Sequence, residues 1–224
     1  FPASKVVEKN EDDEPRLGDS NFDVHVPMGD LPRWLRPRLN SFKSKSPYLI
    51  ADPTKIQQSR SRYISEGKKL VGVSWASRPP KGIPLSFLMP VFLLPDVTFV
   101  NLQYGDHEKE LEELRDCYGV DIIVDPHVDP LLDIDSFAAQ VAAMDAVITV
   151  QNTTLYVAGG LGIKTFALLP PVPDWRWMGE NSKSLWHDKV QLYIRTHGQS
   201  DSDQKIIIGD IARDLKEHFV NSGT

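Results

Sequence analysis

A polar turn between two apolar segments carries the residues best suited to binding an anion. Residues 151–154 (QNTT) follow the apolar run Ala146–Val150 and precede an apolar, glycine-rich stretch. The first segment predicts a buried strand and the second a helix, so Asn152 is expected to cap that helix. The N–H groups and hydroxyls of Thr153 and Thr154 would then face the helix amino end, where phosphate binds favourably. A plain capping turn is an equally good interpretation of these residue types.

A second polar loop, residues 74–81 (SWASRPPK), follows another predicted strand. Ser74 and Ser77 offer hydroxyls, and Lys81 or Arg78 offers a positive charge for a diphosphate. An ordinary exposed lysine after two prolines explains Lys81 equally well.

A third loop, residues 125–135 (DPHVDPLLDID), combines prolines with acidic residues. His127 and Asp129 are candidates to contact a base or a ribose, whose hydroxyls carboxylates bind in such folds. Asp135 is expected to cap the following helix, and to bond ribose if it faces the cleft. A solvated turn accounts for the same composition.

Three groups near the amino end could act as a general acid or base: Asp23, His25 and Asp30. Any of them could accept the proton of an acceptor hydroxyl if it faced the cleft. The more common role of Asp or His in a short turn is local hydrogen bonding, and it is the stronger interpretation here.

The positions of apolar residues predict strands and helices in regular alternation. This is typical of βαβ units, and hence of a doubly wound, Rossmann-like parallel sheet with helices on both faces. Pro90 is expected to kink or restart its helix. The predicted strands are 70–75, 97–102, 120–124, 146–150, 164–169 and 190–195, and the predicted helices are 53–66, 84–94, 107–118, 135–144, 155–162 and 206–219.

Four motifs occur in an order that resembles a known glycosyltransferase family. They are GVSWAS, FVNLQYG, MDAVITVQNTTLYVAGGLGIKTFALLP and PDWRWM. Over residues 69–195 the chain resembles bacterial tetratricopeptide-associated glycosyltransferases, related to family 9 heptosyltransferases and more distantly to O-linked N-acetylglucosamine transferases. The resemblance implies the C-terminal, donor-binding half of a GT-B fold.

The resemblance also implies which side chains contact a nucleotide-sugar donor. It places a basic residue in the first loop on the donor phosphates, Gln103 in the cleft and the PDWRWM motif beside the donor. The implied nucleoside contacts are His127, Asp129 and Asp135. The implied donor and diphosphate contacts are Ser74, Lys81, Gln103, Gln151, Asn152, Thr153, Thr154, Tyr156, Asp174 and Arg176.

The chain departs from the family pattern in three places. Tyr156 stands where relatives generally have a histidine expected to contact the phosphates or the sugar, and Lys81 stands where many have arginine. The stretch SLWHD replaces a Ser-Pro-Trp-Tyr sequence. Tyrosine donates one hydrogen bond but is not cationic near neutral pH, which could weaken stabilisation of the leaving group.

The composition is that of an ordinary globular chain with no marked basic character. The 224 residues are 41% hydrophobic and carry a net charge of −6, which argues against a nucleic-acid groove. A single cysteine, Cys117, excludes an internal disulfide and favours a reducing cytoplasm, and no His/Cys pattern predicts a metal site. No apolar run is long enough to span a membrane.

The length predicts a fragment or processed product rather than a complete two-domain GT-B enzyme. We expect a flexible arm at 1–20, a remnant of the acceptor-side domain and crossover at 21–67, and the nucleotide-sugar-binding domain at 68–224. The predicted function is inverting, metal-independent transfer of a sugar from a nucleotide diphosphate-sugar to an acceptor hydroxyl on a glycan or protein. No cofactor beyond that donor is expected, and another chain segment or partner would complete the cleft. The alternative is an inactive nucleotide-binding or protein-interaction module.

Overall fold

The computed structural model describes residues 26–42, 47–177, 179–180, 182–198 and 201–222. The chain divides into two compact units, Phe1–Lys43 and Ser44–Thr224. The described part of the first unit holds a 3-10 turn at Met28–Asp30, a short helix α1 (Leu31–Leu35) and a second 3-10 turn at Leu39–Ser41.

The second unit is built around one sheet, which has eight strands in the described residues. Six are parallel, in the order β3-β2-β1-β4-β5-β8, and a short antiparallel pair, β7 and β6, extends the β8 edge. The strands are β1 (Lys69–Ser74), β2 (Val97–Asn101), β3 (Ile122–Ile123), β4 (Ala146–Val150), β5 (Thr165–Leu169), β6 (Gly179–Glu180), β7 (Lys183–Ser184) and β8 (Val190–Ile194).

Helices cover both faces of the sheet, which explains why β4 and β5 are buried along their whole length. The helices of the second unit are α2 (Pro53–Tyr63), α3 (Met89–Phe92), α4 (Glu108–Tyr118), α5 (Ile134–Ala142), α6 (Thr153–Leu161) and α7 (Asp201–Ser222). One apolar core joins β1 to α3, α4 and α7 through residues such as Val73, Leu114 and Leu215. Leu70 and Val147 face the other core, toward α2, α5 and α6.

The predicted doubly wound α/β architecture is confirmed. The predicted helix at 84–94 is a 3-10 turn, Leu85–Leu88, followed by α3, so Pro90 marks a restart near the start of the new helix. Helix α6 begins at Thr153, two residues earlier than predicted. The β6–β7 hairpin was not predicted, because two-residue strands leave no readable alternation of apolar and polar residues.

Helix α2 is fixed to the sheet by buried and half-buried polar contacts. Arg62 forms an ion pair with Asp125 at 2.7 Å, and the Tyr63 hydroxyl donates to the same carboxylate. Arg60 donates to Asp145 at 2.9 Å. These contacts place α2 against α5 and hold the loop that follows β3.

Candidate functional site

The topological switch point of the sheet lies between β1 and β4. From β1 the chain winds outward through β2 to β3, then returns to place β4 on the other side of β1. In open α/β sheets, ligands bind outside the carboxyl ends of the strands at such a point. The residues at this position are Ser74, which ends β1, and the turn after β4, residues 151–154.

A buried hydrogen-bond network closes the carboxyl ends of β1 and β2. The side-chain oxygen of Gln103 accepts from the Ser74 hydroxyl at 3.0 Å, from the Trp75 amide at 3.1 Å and from the Ala76 amide at 2.8 Å. Gln103 donates in turn to the Tyr104 carbonyl at 3.0 Å. The predicted donor contacts Ser74 and Gln103 are therefore brought together, and they fix the backbone of the loop that follows β1.

Asn152 links this network to β4 rather than capping α6. It stands at the N-cap position, but its side chain makes no capping bond, so the capping prediction is wrong. Its oxygen accepts from Thr149 at 3.0 Å, and its nitrogen donates to the Ser74 hydroxyl at 2.7 Å and to the Ala76 carbonyl at 3.2 Å. Because two of these three bonds cross the switch point to Ser74 and Ala76, Asn152 ties β4 to β1 instead of capping its own helix.

The two threonines of the turn have different surroundings. The Thr154 side chain is fully buried, with its hydroxyl 3.3 Å from both the Ser74 hydroxyl and the Leu102 carbonyl. Thr153 is exposed. Within the described ranges, no acceptor engages the backbone N–H of either residue, as expected for the first turn of a helix. Thr153 is therefore the exposed residue of this helix amino end, where it carries an unbonded amide and a hydroxyl, whereas the unbonded Thr154 amide belongs to a fully buried residue.

The loop after β1 lies against the same turn. The Ser77 hydroxyl donates to the Gln151 carbonyl at 3.1 Å. The Gln151 side chain is buried, and its oxygen accepts from the Asp174 amide at 3.2 Å. Lys81 is half-buried in this loop, close enough to Asp174 to lower the pKa of that carboxyl further. Gln151 therefore joins the loops after β1, β4 and β5.

Asp174 and Arg176 form a forked ion pair at the end of β5. Arg176 donates through Nε at 2.8 Å and through Nη2 at 2.7 Å. Hydrogen bonding from Arg176 lowers the pKa of Asp174 to about 2 and raises that of Arg176. The guanidinium lies over the rings of Tyr156, at 5.4 Å, and Trp175, at 5.7 Å. Its charge is largely compensated by Asp174.

A row of aromatic rings packs against the Asp174–Arg176 pair, beginning with Tyr156. The Tyr156 ring packs on Trp177 with centroids 4.8 Å apart, and Trp177 stacks on His187 at 5.4 Å. Burial raises the pKa of Tyr156, so the half-buried phenol is neutral at physiological pH. The indole N–H of Trp177 is fully buried and has no hydrogen-bond acceptor among the described residues.

The three predicted nucleoside residues lie on the loop after β3 and at the start of α5, and all are exposed. Asp129 accepts from the Leu131 amide at 2.8 Å. Asp135 does not cap α5, so that prediction is wrong. The cap is Asp133, whose carboxylate accepts from the Ser136 amide at 2.9 Å. The helix begins one residue earlier than predicted, and this shift moves Asp135 into its first turn.

Asp125, in the same loop, was not predicted to be important. Burial raises its pKa, but hydrogen bonds from Tyr63, the His127 amide and Arg62 outweigh this and leave the pKa below its ordinary value. An acidic residue that directly follows a strand and precedes proline gave no signal of a buried role. Its buried role follows from the packing of α2, whose Arg62 and Tyr63 bond to its carboxylate.

Of the three proposed acid/base groups, Asp23 and His25 lie outside the described residues. Asp30 ends the 3-10 turn of the first unit and is exposed. Its role as an acid or base stays a prediction.

No group of three or more His, Cys, Asp or Glu side chains in the described ranges is placed to hold a metal ion. In the same ranges, no helix has the length and apolar character needed to cross a bilayer.

Comparison with known proteins gives one sequence relative and several structures. The chain is 32% identical to Protein FlbA of Caulobacter vibrioides over 181 residues, which is 77% of this chain but 30% of FlbA. No protein-family model matches it. The fold is similar to that of E. coli ADP-heptose LPS heptosyltransferase II, with TM-score 0.53, 15% identity and coverage of 76% of this chain and 54% of that one.

A second structure is that of E. coli heptosyltransferase WaaC with ADP-2-deoxy-2-fluoro heptose. It superposes with TM-score 0.50 and 14% identity, over 80% of this chain and 52% of WaaC. At these identities the likeness concerns the fold, and the chain spans about half the length of each enzyme. The chain thus has a fold similar to part of these heptosyltransferases.

Proposed function

We propose that this domain binds the diphosphate of a nucleotide-sugar and takes part in transfer of the sugar to an acceptor hydroxyl. The observation that carries the proposal is the amino end of α6, where the Thr153 and Thr154 amides have no acceptor and Thr153 is the exposed residue of the two. They lie at the switch point of the sheet, where α/β folds bind ligands, and helix amino ends favour phosphate. The exposed Thr153 hydroxyl and the Lys81 ammonium would add two further donors.

The chemical task of these groups is to receive negative charge as the sugar leaves. When the bond between the sugar and the diphosphate breaks, charge develops on the terminal phosphate oxygen, and fixed donors aimed at it lower the barrier. The buried bonds of Ser74, Gln103 and Asn152 hold the turn in place before the ligand arrives. We expect this counter-charge to suffice without a metal ion, and direct attack by the acceptor hydroxyl to invert the anomeric carbon.

A second candidate function is nucleotide-sugar binding without turnover. Tyr156 favours it, because a neutral phenol stands where the family resemblance implies a histidine near the phosphates. A phenol can donate a hydrogen bond but cannot add positive charge to the leaving group. The two candidates share the ligand and differ only in catalysis.

Titration calorimetry with ADP, UDP, GDP and CDP tests the binding step. We expect at least one diphosphate to bind, and Thr153→Val to weaken that binding by about tenfold or more, since a hydrogen bond to a charged group is lost. Thr54→Val is the matched control, because Thr54 also lies in the first turn of a helix but its amide is already bonded to Asp52 at 2.7 Å. No binding of any diphosphate would refute the proposal.

Turnover separates the two candidates. The diphosphate that binds most tightly identifies the nucleotide of the sugar donor to be tested for release of free diphosphate, with and without simple glycan acceptors. Release that depends on Thr153 supports the transferase. Binding without release supports the binding module.

A further inference from the structure

The guanidinium of Arg195 is bound entirely by backbone carbonyl groups. Arg195 directly follows β8, and its Nε donates to the Leu169 carbonyl at 3.3 Å. Its two terminal nitrogens donate to three consecutive carbonyls, those of Gly82 at 3.4 Å, Lys81 at 3.1 Å and Pro80. One side chain thus joins the end of β5 to the loop after β1.

No carboxylate compensates this charge within the described part of the chain. Arg176, its counterpart in the same region, pairs with Asp174, whereas the ion pairs among described residues do not include Arg195 or Lys81. Burial lowers the pKa of Arg195, but a guanidinium remains protonated at physiological pH. Arg195 therefore has no carboxylate partner among the described residues, and Lys81, which makes no ion pair there, acts on Asp174 only through the longer-range effect on its pKa.

The loop that Arg195 holds is closely packed at its base and open at its tip. The Ile83 amide donates to the Trp75 carbonyl at 3.1 Å, and Ser77 bonds the turn after β4. A Cβ on Gly82 would lie 3.0 Å from the Ser77 amide nitrogen, so the two sides of the loop approach as closely as a glycine allows. We call the bonds from Arg195 to the Pro80, Lys81 and Gly82 carbonyls the clamp. Because these three residues are consecutive, the clamp fixes the backbone position of Lys81.

We propose that Arg195 is a positioning residue of the diphosphate site, acting through the loop that carries Lys81. The inference rests on the proposed function and deepens it, because it states how the cation on the phosphate side is held in place. Arginine suits the role because its planar fork reaches several carbonyls at once. Lysine, a point charge on a flexible stem, cannot span β5 and three carbonyls of the loop.

A double-mutant cycle with Lys81 tests the proposal. Arg195→Met should weaken binding of ADP or UDP on the order of tenfold, as should Lys81→Met, while binding of adenosine or uridine stays unchanged. In the Lys81→Met background, Arg195→Met should reduce diphosphate affinity little further, because both residues act through the same contact with the phosphate. Arg195→Lys, which keeps the charge but loses the fork, should behave like Arg195→Met.

The contrary outcomes are equally specific. Full rescue by lysine, additive losses in the cycle or equal weakening of nucleoside and diphosphate binding would each overturn the positioning role. Wild-type protein that binds none of the diphosphates would instead refute the proposed function, and the role of Arg195 with it.

Hydrogen exchange supplies a measurement that needs no ligand. The amides of residues 76–78 and 81–83 should exchange faster in Arg195→Met while the unfolding free energy changes little, since the contacts of Arg195 are local. Arg115→Met is the matched control, because the exposed Arg115 guanidinium pairs with its neighbour Asp116 at 3.3 Å. Unchanged exchange in residues 76–83 would refute the clamp.

Discussion

The side-chain nitrogen of Asn152 donates to the Ser74 hydroxyl at 2.7 Å, and this bond ties β4 to β1 at the switch point. Both residues are buried. The Ser74 hydroxyl donates in turn to the side-chain oxygen of Gln103, which also accepts from the amides of Trp75 and Ala76. The backbone that carries the exposed Thr153 and the buried Thr154 is therefore held in place by a buried polar network before any ligand binds.

Asn152→Ala should destabilise the domain because it removes three hydrogen bonds from a buried polar network. The Thr149 hydroxyl loses an acceptor, and Ser74 and the Ala76 carbonyl lose a donor. A hydrogen bond contributes about 0.5–1.5 kcal/mol net, so the loss of all three should lower the unfolding free energy by about 2–4 kcal/mol. Urea unfolding measures it, with the exposed Thr153→Ala as a control that should shift stability by less than about 0.5 kcal/mol. A loss below about 1 kcal/mol would show that water replaces the amide.

The architecture could be predicted from the sequence because the central strands β4 and β5 are largely apolar runs and helix-length segments separate the predicted strands. Such runs have few alternatives to a covered parallel sheet, and the strand bounds shifted by only one or two residues over most of the chain. The sequence also indicated which loops meet, since the carboxyl ends of parallel strands share one edge. It could not show which polar side chains there are open and which are used internally.

Whether a polar side chain in these loops is exposed or buried depends on the local backbone conformation, which the residue type does not reveal. Thr153 and Thr154 are adjacent and chemically identical, yet one is exposed and the other is fully buried against Ser74. Asn152 had the residue type of a helix cap and serves as a cross-strand tie. The role of Arg195 could not be predicted, because an arginine at the end of a strand is common. Its carbonyl partners in the loop after β1 lie more than 100 positions away in the chain.

Asp174 should make stability depend on acid pH. Its folded-state pKa of about 2 lies below its ordinary value of 3.8, because Arg176 bonds the charged form. A depressed pKa contributes stability above the ordinary value, and that contribution is lost as the pH falls from about 4 towards 2. Unfolding of wild type and Asp174→Asn should therefore differ most at neutral pH and converge near pH 2. A difference that does not change with pH would contradict the assignment.

Gly209→Ala should stabilise the domain. Gly209 lies in the interior of α7, and a Cβ added there would meet nothing within 4 Å. Alanine in a helix interior is favoured over glycine by about 0.5–1 kcal/mol. The matched contrast is Gly72→Ala in β1, where the added Cβ would lie 2.2 Å from the Leu102 side chain and force the core apart. The melting temperature should rise in Gly209→Ala and fall in Gly72→Ala. A lower melting temperature for Gly209→Ala would mean that α7 bends at this glycine.

Tyr156→His tests whether this ring faces the donor phosphates. The phenol lies under Arg176 and against Trp177, and burial keeps it neutral. An imidazole in the same place can be protonated, so diphosphate affinity or turnover should rise by about threefold to tenfold below pH 6.5, where histidine carries charge. Tyr156→Phe is the control, because it keeps the packing and removes only the hydroxyl. If the histidine variant binds diphosphate no better than the phenylalanine variant at pH 6, position 156 faces away from the phosphates, and charge at the site comes from Lys81 and the α6 amino end alone.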